Sequence, residues 1–140
     1  MRNMARKLRS KFEGHVCGKL KGPFTYESHR IDYSTAPTRH HYTPDVILSN
    51  GIIVEIKGRF LTADRHKHIL IARQFPNLDI RFVFQNPRLS IYPGSKTTVA
   101  DWADKNGFIW AAKEVPEEWE NEPQKTDLTG LIEKEPDTAA

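Results

Sequence analysis

Residues 42–57 have the sequence YTPDVILSNGIIVEIK, which predicts a β-hairpin. Two apolar runs, Tyr42–Leu48 and Ile52–Lys57, flank the segment SNG at residues 49–51. Asparagine followed by glycine between two apolar runs is a strong hairpin signal, because both residues accept the backbone angles that a tight turn requires. We therefore expect two adjacent antiparallel strands joined by this segment.

The length of the turn decides which side chains share a face. If the loop has three residues, with Gly51 in the left-handed conformation, Leu48 pairs with Ile52. Asp45 then lies directly opposite Glu55. A two-residue loop would instead turn Asp45 to the other face of the sheet, because side chains alternate along a strand. We predict the three-residue loop.

Pro44-Asp45 and, after nine intervening residues, Glu55-Ile56-Lys57 form a PD…(D/E)xK pattern, which is typical of metal-dependent nucleases. Two carboxylates on neighbouring strands suit Mg²⁺, which prefers oxygen ligands. Such a cation stabilises charge on a phosphodiester and activates water, and a nearby ammonium adds to this. The alternative is that these are ordinary strand residues, with Lys57 as a salt-bridge partner.

Composition predicts one globular domain with a polyanionic partner. The chain has 140 residues, 38% of them hydrophobic, and a single cysteine, Cys17, which excludes an internal disulfide. Residues 1–112 carry a formal charge of +9, whereas residues 113–140 carry −6. A basic body favours nucleic acid, although a solvated basic surface would have the same composition. Without an apolar run of membrane-spanning length or a signal peptide, we expect a cytoplasmic protein with no membrane partner.

Periodicity and turn residues predict an α/β domain over residues 1–119, with a mixed sheet flanked by helices. Residues 120–140 are acidic and polar, and we predict a disordered tail. The remaining elements are expected in this order: a helix capped by Ser10, a strand Phe24–Tyr33, a connector Ser34–Arg39, a helix Thr62–Phe75, a half-buried strand Asp79–Phe84, a short helix opened by Thr98 and a strand Phe108–Ala112.

Glu13 lies on the apolar side of the first predicted helix, between Leu20 and Cys17 on a helical wheel, within the arc that also contains Phe12 and Val16. A carboxylate on a buried face needs a partner or a cation. Ser10 and Glu13 also have the spacing of an N-terminal capping box. The residues therefore leave both roles open, a cap and an active-site carboxylate.

Basic side chains around these elements predict contacts with phosphates. The candidates are Arg9, Lys11, Arg59, Arg65, His66 and Lys67. The histidine pairs His40-His41 and His66/His68 have poor spacing for chelation, so we interpret them as surface or phosphate-contacting residues rather than zinc ligands. The aromatic residues Phe82, Phe84, Trp102 and Trp110 are predicted to be core.

Three segments carry a family resemblance: HHYTPDVILSNGIIVEIKG at 40–58, DRHKHILIARQFPNLDIRFVF at 64–84 and PEEW at 116–119. They resemble endonuclease I of T-seven-like bacteriophages, over about Arg9 to Glu122. The resemblance implies that Glu13 and Lys57 are catalytic. It also implies that Asp45, Glu55 and the backbone carbonyl of Ile56 hold the metal, with Glu13 as a possible further ligand. Threonine is usual in the family where Ile56 stands, and Ala63-Asp64 replaces a pair of aspartates.

The family resemblance further implies an intertwined homodimer that resolves four-way DNA junctions with Mg²⁺, for which Mn²⁺ substitutes. Residues 34–39 would then be the bridge between subunits, and Glu13 of one subunit would complete the site of the other. The expected role is debranching phage DNA in the host cell. The alternatives are a restriction-like nuclease on linear DNA without junction preference, and a non-catalytic nucleic-acid-binding module.

Overall fold

The computed structural model describes residues 10–35 and 38–134. Within these residues, α1 spans Lys11–Lys19, α2 Thr62–Gln74, α3 Val99–Lys105 and α4 Glu117–Glu120. The strands are β1 (Phe24–Tyr26), β2 (His29–Thr35), β3 (Thr38–Tyr42), β4 (Val46–Leu48), β5 (Ile53–Lys57), β6 (Ile80–Phe84), β7 (Trp110–Ala112) and β8 (Leu131–Glu133). In this described part of the chain, no helix has the length and apolar character needed to cross a membrane.

The main sheet has five strands in the order β1-β4-β5-β6-β7. The pairs β1/β4 and β4/β5 are antiparallel, whereas β5/β6 and β6/β7 are parallel. A parallel neighbour needs a long crossover, and α2 supplies the one between β5 and β6. The predicted α/β fold with a mixed sheet flanked by helices is confirmed. A second sheet has the order β3-β2-β8.

The hairpin has the predicted register. Val46 pairs with Val54, and Ile47 with Ile53. The amide of Leu48 donates to the carbonyl of Ile52 at 2.9 Å, which makes residues 49–51 a three-residue loop. Gly51 has a φ of +93°, a backbone conformation that residues with a Cβ rarely adopt. Continuing this register by one residue brings Asp45 opposite Glu55.

Alternate residues of the hairpin pack into two different cores. On one face, Val46, Leu48, Val54 and Ile56 lie with Val16 of α1 in one cluster. On the other face, Ile47 and Ile53 lie with Ile71 of α2 and Ile31 of β2. Both faces are therefore covered, which is why a strand pattern of almost continuous apolar residues is stable here.

Two strand predictions are corrected. The expected strand Phe24–Tyr33 is divided, because β1 joins the main sheet and β2 the second sheet. Between them Glu27 adopts a left-handed φ of 50°. The strand expected at Asp79–Phe84 was predicted to be half-buried, but every residue of β6 is buried. Its polar residue, Arg81, is buried because it forms ion pairs with Asp79 and Glu122 at 2.7–2.9 Å.

The connector predicted at Ser34–Arg39 is a hairpin in the single chain. Ser34 pairs with Arg39, and Thr35 with Thr38. Ala36 and Pro37 lie outside the described residues. The role of 34–39 as a bridge between subunits stays a prediction.

The expected disordered tail from residue 120 is not observed in residues 120–134. Lys125 donates its backbone N–H to Asn50 at 2.7 Å, and β8 pairs with β2. Glu122 meets buried Arg81, and Lys125 lies 2.8 Å from Asp79. The acidic segment is ordered because its charges find partners on the basic body, which composition alone does not reveal. Residues 135–140 lie outside the described residues.

Candidate active site

The first acidic residue of the site, Glu13, is placed by α1. Ser10 caps the helix, its hydroxyl accepting the Glu13 N–H at 3.0 Å. The predicted N-cap is thus confirmed. The Glu13 side chain is only 6% exposed, and its Oε1 accepts a hydrogen bond from the hydroxyl of Tyr26 at 3.1 Å. Its carboxylate therefore points inward from the first turn of α1, where burial requires partners.

The hairpin supplies the next two carboxylates. Asp45 precedes β4, and its Oδ2 accepts the backbone N–H of Ile56 at 2.8 Å. Glu55 lies across from it in β5, and its Oε1 accepts the Tyr42 hydroxyl at 2.6 Å and lies 3.4 Å from the Asp45 amide. Both side chains are buried. The three-residue loop therefore places Glu55 across the hairpin against the backbone of Asp45, in the predicted register.

Lys57 is the cation of the site. Its Nζ lies 3.2 Å from Oε2 of Glu55 and 3.9 Å from Asp64 at the start of α2. Burial alone would lower the pKa of Lys57, but the carboxylates of Glu55 and Asp64 outweigh it and raise the pKa. The ammonium therefore stays charged. Asp64 also lies 3.8 Å from the Nζ of Lys67.

Asp45 holds a proton in this arrangement. Burial and the charges of Glu55 and Glu13 together raise the pKa of Asp45 from 3.8 to about 9, although the hydrogen bond from the Ile56 N–H lowers it. A divalent cation would replace that proton and satisfy the same oxygens. The donor set thus fits a hard metal ion.

Glu27 belongs to this group and was missed from the sequence. Carboxylate oxygens of Glu13, Glu27 and Asp45 lie within 4.8 Å of one another, a spacing that could hold a metal ion. Glu27 reaches them because its left-handed backbone places its N–H 2.9 Å from the carbonyl of Asp45. No local pattern predicts this break between β1 and β2. The carbonyl of Ile56 stays a ligand by resemblance only.

Glu13, Asp45, Glu55 and Lys57 line one cleft with a volume of about 660 Å³. Of the residues predicted to contact DNA, Arg59 and Lys67 line it. Lys11 and His66 are exposed but do not line this cleft. Arg9 lies outside the described residues. The cleft therefore combines an acidic floor with basic walls, which suits a phosphate backbone held over a metal ion.

The prediction that Arg65 contacts phosphate is wrong. Arg65 is 7% exposed, and its guanidinium donates to the carbonyls of Phe60 and Ile91 and to the hydroxyl of Thr62. These bonds fasten the first turn of α2 to the loop that precedes α3. The loop that contains Ile91 covers Arg65, whose position in the helix sequence is typical of an exposed cation.

Arg65→Ala should therefore lower the free energy of unfolding by about 2–3 kcal/mol, because it leaves two buried carbonyls without their donor. The slope of DNA affinity against salt should stay unchanged. Arg59→Ala should do the reverse, leaving thermal unfolding unaltered and reducing the salt slope by about one phosphate contact. Calorimetry and binding titrations at several salt concentrations check both variants. An Arg65 variant of normal stability with weaker DNA binding would contradict this assignment.

Of the four histidines expected at the surface, three are exposed, namely His40, His41 and His66. His41 lines the cleft and contacts Asp32, and His40 stacks on Tyr33 at 5.2 Å between ring centroids. His66 is exposed, but His68 is fully buried, so its predicted surface position is wrong. Burial and the charges of nearby lysines hold the pKa of His68 well below its usual range, which makes its ring neutral.

The predicted aromatic core is confirmed for Phe82, Phe84 and Trp102, which pack together with Phe108. Trp110 is only partly buried, because its Nε1 donates to Asp104 at the surface.

Comparison with known proteins gives consistent matches. A family model described as phage endonuclease I matches residues 2–137. The endonuclease I of Escherichia phage T7 is 42% identical over 121 residues, which are 84% of this chain and 81% of that protein. The endodeoxyribonuclease 1 of Enterobacteria phage T3 is 42% identical over 123 residues, 86% of this chain and 81% of that protein. The family match includes Glu13, Asp45, Glu55 and Lys57, and it confirms the resemblance found in the sequence.

Proposed function

The chain belongs to the phage endonuclease I family, and we propose that it is a Mg²⁺-dependent DNA endonuclease that resolves four-way junctions. The observation that carries this proposal is the convergence of Glu13, Asp45, Glu55 and Lys57 in one cleft. The four residues come from three separate elements, and the buried negative charge they create has no structural benefit. An excess of buried carboxylates destabilises a fold unless a cation joins them.

Each residue has a role that follows from its surroundings. Asp45 and Glu55 would hold the metal together with the Ile56 carbonyl, and Glu13 and Glu27 lie close enough to contribute. The bound ion would supply Lewis-acid stabilisation of the phosphate and an acidified water. Lys57 is positively charged and lies 3.2 Å from Glu55, so its ammonium would stabilise negative charge on the reacting phosphate. Tyr42 fixes the orientation of Glu55 through its hydroxyl.

Recognition of DNA by this cleft would depend on the backbone rather than on bases. Arg59 and Lys67 line the cleft with positive charge, which would contact the phosphate oxygens of the backbone. Phosphate contacts of this kind select the path of the strands, so a junction with bent arms can be distinguished from a straight duplex.

Cleavage of a labelled four-way junction and of linear duplexes with the same arm sequences tests this preference. We expect junction cleavage to exceed linear cleavage at least tenfold at one protein and salt concentration, since specificity must be stated at fixed salt. Equal rates would favour a restriction-like nuclease. Binding of both substrates without any nicking would favour a non-catalytic module.

We further propose that the active form is an intertwined homodimer in which Glu13 of one subunit meets Asp45 of the other. In the single chain the β2-β3 hairpin folds back, so Glu13 meets Asp45 of its own chain. Opening that hairpin would conserve the same contacts in exchanged form, which is the usual route to a swapped dimer.

Mixed dimers of two inactive variants distinguish these arrangements. We expect Glu13→Gln and Asp45→Asn to be inactive separately. A dimer refolded from both should regain one intact site if the contact is between subunits, and it should nick one strand of a junction at roughly half the wild-type rate per dimer, because distant sites act independently. Mixed dimers without any activity would show that each chain builds its own site, and a particle of monomer mass would exclude the swapped dimer.

A further inference from the structure

His68 is a buried polar group that the proposed chemistry does not use. It belongs to α2 and is completely inaccessible to solvent. Among the described residues, neither ring nitrogen has a hydrogen-bond partner. Leaving such donors and acceptors unmatched costs free energy, so each case needs a physical explanation.

Packing does not explain the polar atoms of His68. Its ring lies edge-on to Tyr42 and Phe82, with centroids 4.9 Å apart in both pairs, and 6.1 Å from Phe60. A phenylalanine would fill the same aromatic cage without an unmatched nitrogen. Packing therefore accounts for the ring of His68 but not for its two nitrogens.

The imidazole faces the catalytic carboxylate. Its Nε2 lies 3.9 Å from Oε2 of Glu55. This separation is about 1 Å longer than an ordinary N–H···O hydrogen bond. The same Oε2 is now held by Lys57 at 3.2 Å, while Oε1 accepts the Tyr42 hydroxyl.

We propose that His68 is a positioning residue for Glu55, donating from Nε2 to Oε2 when Lys57 turns to the DNA phosphate. The inference rests on the proposed function, because it assigns Lys57 a role away from Glu55 during cleavage. Oε2 would then lose the Lys57 ammonium, whereas Oε1 keeps the hydrogen bond from the Tyr42 hydroxyl. A ligating carboxylate that is held by a second hydrogen bond keeps its orientation, and such outer contacts strengthen metal binding.

Titration of Mn²⁺ into wild type, His68→Phe and His68→Gln by calorimetry tests this role. Phenylalanine retains the packing but cannot donate, whereas the glutamine amide can place a donor near the position of Nε2. We expect His68→Phe to weaken Mn²⁺ binding by about 10–100-fold, and His68→Gln to restore most of it. Thermal unfolding in chelator is measured in parallel, because a merely structural role changes the unfolding temperature and leaves the metal affinity of the folded protein intact.

Wild-type Mn²⁺ affinity in folded His68→Phe would overturn the inference while leaving the proposed function in place. An absence of Mn²⁺ binding in wild type would overturn both. If the phenylalanine variant does not fold, His68→Met replaces it, since a thioether side chain adapts to irregular space without donating a hydrogen bond.

Discussion

Asp45→Asn should reduce junction cleavage by at least about a thousandfold while leaving junction binding close to wild type. The substitution keeps the size of the side chain and an oxygen that can accept the Ile56 N–H, so the hairpin should be undisturbed. It removes the charge that a divalent cation needs. Because the basic residues of the cleft are untouched, affinity for the DNA backbone should persist. Single-turnover cleavage and binding in Ca²⁺ or chelator measure the two properties separately.

Asp104→Asn is the matched control for that experiment. Asp104 lies outside the cleft and accepts a hydrogen bond from Trp110 at 2.8 Å, which an asparagine oxygen can also accept. We expect this variant to cleave like wild type. Normal turnover by the Asp45 variant would exclude the proposed metal site, and a parallel loss of DNA binding would mean that Asp45 acts on substrate binding instead.

The same substitution should make the metal-free protein more stable, not less. Burial and neighbouring carboxylates raise the folded-state pKa of Asp45 to about 9, whereas its ordinary value is 3.8. Folding therefore takes up a proton between these values. The contribution of Asp45 to stability is complete below about pH 4 and is lost as the pH rises through 9. Most of this contribution is therefore lost at pH 8, and an asparagine escapes the loss.

Chemical denaturation in chelator at one protein concentration, from pH 5 to pH 9, checks this prediction. Wild type should lose stability relative to Asp45→Asn across the range. Added Mg²⁺ should stabilise wild type but not the variant, because only wild type has the complete ligand set. Asp104→Asn should follow the wild-type pH dependence. An Asp45 variant that is less stable than wild type in chelator at pH 8 would show that the carboxylates are not in conflict.

The hairpin and its chemistry could be predicted because their determinants are local. Gly51 fixes the loop length, the loop length fixes the register, and the register places Asp45 against Glu55. Helix α2 was predicted within one residue at its end because its apolar residues recur at helical spacing. Glu13 could be noticed because a carboxylate interrupted an apolar face, but only family resemblance distinguished its two possible roles.

What could not be predicted depends on contacts between distant parts of the chain. Arg65 has the sequence surroundings of a surface cation, but a loop 26 residues later supplies the carbonyl of Ile91 to it. Glu122 is ordered by Arg81, 41 residues earlier. Glu27 reaches the site because its backbone adopts a left-handed conformation between β1 of the main sheet and β2 of the second sheet. The periodicity of apolar residues describes one helix or strand at a time, so it contains no information about contacts between distant residues.

Diffraction from crystals grown with Mn²⁺, recorded where manganese scatters anomalously, is the most direct test of the central claim that buried carboxylates meet around a divalent ion. We expect an anomalous peak in the cleft with oxygens of Asp45 and Glu55 about 2.2 Å away. The same crystals of Asp45→Asn should lack it. A cleft without a peak, at a Mn²⁺ concentration that supports junction cleavage in solution, would contradict the account.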